Sequence, residues 1–147
     1  MSDDEKVAKD LVETLKDGER GFAAAAEKVR DSDRAEWATT LQRLSEQRAG
    51  FRREIVEMGH EYGDDVDESG SVAATLHRGW ISLKDALTGD DAGSVLGAAV
   101  TGEDHAVSEY EKAEEGDLSA GFRAVVTRQH AAIVAARDEV KALQVAD

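Results

Sequence analysis

Glu19, Gln47, Glu103 and Gln129 are the residues whose types and spacing could do chemistry together. Gly18-Glu19 leads to Glu27-Lys28, and Gly102-Glu103 leads at the same spacing to Glu111-Lys112. Gln47 stands four residues before Phe51, and Gln129 four before Ile133. Two carboxylates and two amides gathered at one level could hold a cation or satisfy one another. A carboxylate buried without partners costs several kcal/mol, and amides within reach offset that cost. The expected arrangement is a polar core layer with Glu–Gln hydrogen bonds across it.

The elements that must position these residues are helices. Apolar side chains recur at three- and four-residue intervals. From Asp4 to Arg30 the seam is Val7, Leu11, Leu15, Phe22, Ala26 and Val29. It stops at Asp31-Ser32-Asp33, where Ser32 or Asp33 can cap the next helix. From Arg34 to Tyr62 the seam is Trp37, Leu41, Leu44, Phe51, Ile55 and Met58. An acidic loop with glycine at both ends, Gly63 to Gly70, leads to Ser71, the expected cap of a shorter helix over 72–87. That helix carries Val72, Leu76, Trp80, Leu83 and Leu87, and Thr88-Gly89-Asp90-Asp91 stops it and starts another. The remaining long helices are expected over about 92–115 and about 118–145. Proline is absent, so nothing forces a break within them. Strand signals are missing, and the class is all-α.

Loop lengths set the topology. Tight connections make two antiparallel hairpins, about 4–62 and about 92–145, joined by a crossover of about 63–91. A long helix of this kind spans roughly 35–40 Å, and the crossover can return the chain along that length. The expected fold is one domain, a ferritin-like four-helix bundle with one long crossover. The repeat places Glu19, Gln47, Glu103 and Gln129 near the middle of their own helices. Gly18, Gly21, Gly50 and Gly102 flank that level, although a mid-helix glycine costs about 1 kcal/mol against alanine. They suit either close helix crossing or the thin wall of a cavity.

Composition removes several function classes. The 147 residues hold no cysteine, which excludes disulfides, zinc–thiolate sites and thiol catalysis. A net charge of −14 makes nucleic acid and anionic lipid poor partners. The acidic start Met1 to Glu5 is unlike a signal peptide, and no apolar run reaches the roughly 20 residues of a bilayer span. A cytoplasmic protein is expected.

The segment Leu76-His77-Arg78-Gly79-Trp80, followed by Leu83-Lys84, resembles a signature of a bacterial family of four-helix-bundle proteins of unknown function, grouped with ferritin-like proteins. The Gly102-Glu103-Asp104 and Gln47 regions fit the same pattern, and the resemblance runs from Leu11 to Leu143. It implies a fold more than an activity, with His77, Arg78 and Trp80 as the crossover-helix signature. Ferritin-like di-iron proteins draw one Glu from each of two helices and Glu-x-x-His from each of the other two. Glu19 and Glu103 match the first role. Gln47 with Gly50, and Gln129 with Ala132, stand where the second motif belongs, so both histidines and two carboxylates are missing.

Other candidates are weaker. Glu57-Met58-Gly59-His60 has Glu-x-x-His spacing but lies at a helix end, without a counterpart in the second hairpin. His105 and His130 suit surface or capping roles, and His77 with Arg78 a contact to a helix end. Trp37 and Trp80 suit core anchors. No phosphate loop or Ser-His-Asp order appears. The expected function is a non-catalytic binding or assembly module with no cofactor and a structural Glu–Gln layer, its partner an unidentified protein or a second copy meeting the crossover helix. The alternative is an iron or manganese site using Glu19 and Glu103.

Overall fold

The computed structural model describes residues 3–61 and 78–145, apart from the side chains of His60, Glu61 and Arg78. It is all-α. Helix α1 is Asp4–Arg30, α2 is Trp37–Glu61, α3 is Ile81–Thr88, α4 is Ala92–Glu114 and α5 is Ala120–Val145. A 3₁₀ turn, Arg78–Trp80, leads directly into α3. The expected loop over 63–70, the Ser71 cap and the Val72–His77 part of the crossover helix lie outside the described residues.

Local chemistry sets the helix ends. Asp4 and Glu5 in the first turn of α1, and Lys28 and Arg30 in its last, complement the helix dipole. Ser32 accepts the Arg34 N–H at 3.0 Å and donates to the Val29 carbonyl at 2.6 Å, closing the turn before α2. Asp91 caps α4, accepting the Gly93 N–H at 2.9 Å. The cap of α5 comes from another helix. The buried Asp4 side chain of α1 accepts the Ser119 N–H at 2.9 Å and the Ser119 hydroxyl at 2.7 Å.

That contact also fixes direction, since α1 begins where α4 ends and α5 begins. Asp3 strengthens the join by donating its N–H to the Asp117 carbonyl and accepting the Asp117 N–H on its carboxylate. The buried apolar side chains form two clusters. In one, the last turns of α1 (Phe22, Val29) and α5 (Ala136, Val140) meet the first turns of α2 (Trp37, Leu41) and α4 (Val95, Leu96), with Trp80 and Leu83 added. In the other, the first halves of α1 and α5 meet Ile55 of α2 and the last turns of α4. Helices α1 and α5 therefore run one way, and α2 and α4 the other. Among the described residues, no helix is long and apolar enough to cross a membrane.

Candidate functional site

Between the two apolar clusters the core turns polar. Arg48 of α2, four residues past Leu44 and seven before Ile55, continues the buried seam of its helix. It is 1% exposed, and Glu103 of α4, which faces it, is 0% exposed. The guanidinium grips both carboxylate oxygens, Nη1 to Oε1 at 2.5 Å and Nη2 to Oε2 at 2.7 Å. Its Nε donates to the Gln47 Oε1 at 3.1 Å, and its carbon lies 5.2 Å from the Phe22 ring centre. Gly18 of α1 completes the wall, since a Cβ there would rest 3.5 Å from the arginine side chain. This bidentate, charge-assisted geometry is the strong form of the pair, and it neutralises a carboxylate that water cannot reach.

The expected Glu–Gln hydrogen bonds are replaced by arginine contacts. Glu103 takes its bonds from Arg48. Glu19 is partly exposed and meets Arg52, whose Nε and Nη2 lie 3.2 and 3.1 Å from its Oε1. The physical reason is charge: a guanidinium compensates a carboxylate far better than an amide does. Gln47 joins the layer as an acceptor. Gln129 does not share it. Its Oε1 accepts the Tyr110 hydroxyl at 2.7 Å, and its Nε2 donates to Glu54 at 2.8 Å. Tyr110 stands seven residues beyond Glu103 on α4, two helical turns or roughly 10 Å away. Gln129 thus anchors a second polar group within the other apolar cluster, where Glu54 also pairs with Arg128. Burial pushes the Tyr110 hydroxyl pKa above its ordinary value, with the Arg48 charge opposing and Glu54 adding to the shift.

Trp80 sits beside the layer, 1% exposed, in edge contact with Phe22 at 4.9 Å between ring centres. A Cβ on Gly21 would fall 2.3 Å from its indole, and one on Gly102 2.2 Å. These glycines make room for the crossover's indole, which lies against the backbones of α1 and α4, and neither thins a cavity wall. His105 packs under Gly79, and its buried Nε2 has no hydrogen-bond partner among the described residues. His130 Nδ1 lies 3.0 Å from Glu114. His77 and the side chains of His60 and Arg78 lie outside the described residues.

The ferritin-like ligand pattern is a poor fit to these side chains. Both Glu103 oxygens are taken by Arg48, Gln129 lies two turns away, and the amides bring no charge. No group of three or more His, Cys, Asp or Glu suited to a metal ion occurs among the described residues.

The model of a protein family described as a domain of unknown function (DUF2383) matches residues 5–116. The chain belongs to this family. The DUF2383 match takes in α1, α2, the crossover and α4, and thus both halves of the Arg48–Glu103 pair; it stops before α5. No curated protein matches the chain.

Sequence reasoning missed Arg48, Arg52 and Glu54. The signal for Arg48 was present: it lies seven from Leu41, four from Leu44 and seven from Ile55, on the apolar seam.

Proposed function

We propose that this chain is a one-domain ferritin-like four-helix bundle, of α1, α2, α4 and α5, that serves as a non-catalytic binding or assembly module. The helix directions and the long crossover support the topology. The absence of cysteine and the acidic surface favour a cytoplasmic setting.

One observation carries the reading: the guanidinium of Arg48 sits on both oxygens of Glu103. A positive charge supplied by the chain itself occupies the side of the carboxylate that a metal ion would need. Binding iron or manganese there would require breaking a buried pair and leaving Arg48 unpaired, at several kcal/mol. The layer then serves structure: it joins α2 to α4 across the two hairpins and separates two apolar clusters.

Metal analysis of protein purified without chelator tests this. The expected result is less than stoichiometric iron and manganese, unchanged by Glu19→Ala. Stoichiometric metal that is lost in both Glu19→Ala and Glu103→Gln would overturn it in favour of the metal-binding alternative. Glu19 is partly exposed, so its variant is expected to fold.

A further inference from the structure

Among the described residues, every exposed side chain on α1, α2 and α4 is polar or charged. Of the long helices, α5 is the exception. Ala124, Ala131, Ala135 and Ala142 are exposed along its outer face, and Val145 at its end is 84% exposed. They recur at intervals of about one or two helical turns, so they form one continuous seam.

The charges on this face determine what can cover it. Arg128 lies in the first half of the seam and Asp138 in the second, both exposed. Turn a second copy end for end about the level of Ile133, and the exposed positions coincide. Ala131 then faces Ala135, Ala124 faces Ala142, and Arg128 faces Asp138 on both sides of the axis. Val145 meets Gly121, the exposed glycine that leaves room for it. A parallel copy in register would instead oppose Arg128 to Arg128 and Asp138 to Asp138. We infer that α5 pairs antiparallel with α5 of a second copy of this chain, about a two-fold axis near Ile133.

Three physical points support the pairing. Alanine seams let helix axes approach to about 8 Å, the near end of the usual range, which brings the flanking charges within reach. A guanidinium has five donors, so Arg128 can keep its own Glu54 and still meet Asp138 of the second copy. The face also escapes the chain's general self-repulsion. Against a net charge of −14 for the whole chain, α5 carries Arg123, Arg128, Arg137 and Lys141 but only Asp138 and Glu139 as acids. Isologous pairing of one patch with itself is the usual geometry of a two-fold dimer. A single pair of helices falls at or below the roughly 1,200 Å² lower end of stable interfaces, so the dimer is weak.

Sedimentation equilibrium of the full chain from about 10 μM to about 1 mM tests this, a range suited to dissociation constants of that order. The expected result is a monomer–dimer equilibrium. Ala131→Glu is expected to weaken it at least about tenfold, because it buries a charge against its partner's seam. Arg128→Asp and Asp138→Arg each weaken it similarly, and the double reversal binds at least about threefold tighter than either single variant, since the cross-copy pair is restored although Glu54 loses its arginine. Circular dichroism of each variant establishes that it is folded. A monomer across the whole range would overturn the inference. So would a dimer indifferent to Ala131→Glu, or a double reversal that stays as weak as the single ones.

Discussion

Arg48 and Glu103 face each other across the two hairpins through two parallel hydrogen bonds of 2.5 and 2.7 Å, both side chains withdrawn from water. Apolar clusters lie on either side, and beyond the Gln47 oxygen on Arg48 Nε and the Phe22 ring face each charge relies on the other. The pair is costly to assemble, and more costly to leave half made. Such a contact rewards one alignment of α2 against α4 and penalises a slip of either helix, which would strand both charges in hydrocarbon.

The glycines around this level respond in opposite senses to the same change. A Cβ at Gly21 or Gly102 would overlap the Trp80 indole, whereas at Gly18 it would make ordinary contact at 3.5 Å with Arg48. Gly18→Ala is therefore expected to stabilise by about 0.5–1 kcal/mol, the helical preference of alanine over glycine. Gly21→Ala and Gly102→Ala are expected to destabilise by about 1–3 kcal/mol each through overpacking. Placed in a Trp80→Ala background, Gly21→Ala should change sign and stabilise. Urea denaturation of the set reads all four effects.

Tyr110 makes stability fall at alkaline pH. Its folded pKa is raised by burial, so above the unfolded tyrosine value of about 10 the unfolded chain releases a proton that the folded chain keeps. The unfolded state then binds fewer protons, and unfolding free energy declines as pH rises past that point. Below it the Tyr110 contribution is fully present. Tyr110→Phe is expected to lose about 1 kcal/mol or more at neutral pH, through the hydrogen bond to Gln129, and to decline less steeply above pH about 10. Denaturation midpoints of both proteins across that range provide the check. Parallel slopes would contradict the assignment.

Asp4 is expected to matter more than its place near the chain start suggests. It accepts both the N–H and the hydroxyl of Ser119, acting as the cap of α5 from a different helix. Asp4→Ala should cost about 1–2 kcal/mol, the upper range for a lost cap, and hydrogen exchange should quicken first at the Ser119 amide. Asp3→Ala, on an exposed residue, should cost less.

The helices were legible in the sequence because their apolar residues recur at helical spacing; α1 occupies the expected span and α4 lies within one residue of it, the latter with the Asp91 cap, whereas α2 begins at Trp37, three residues past the expected Arg34. The polar level was legible in part. Glu103 stands out in the Gly-Glu repeat, but the same repeat points to glutamine as its partner because Gln47 lies four residues from Phe51. Spacing along one helix fixes a face only to within a fraction of a turn, and the adjacent Arg48 points deeper. Equating helix midpoints puts Gln129 at the midplane, an assumption that fails when one helix is displaced along its axis by a turn or so. Arg52 and Glu54 were illegible for a different reason. Their roles depend on which distant helix each one reaches, and no local pattern records that. The Asp4 cap is of the same kind, formed by residues 115 apart.

A double-mutant cycle on Arg48→Met and Glu103→Leu tests the central claim most directly, with unfolding free energies read by urea denaturation. Each single variant leaves one buried charge unpaired and is expected to lose about 3–5 kcal/mol, while the double variant, apolar on both sides, should regain most of that loss. Single losses below about 1 kcal/mol, or losses that simply add in the double variant, would contradict a core organised around this pair.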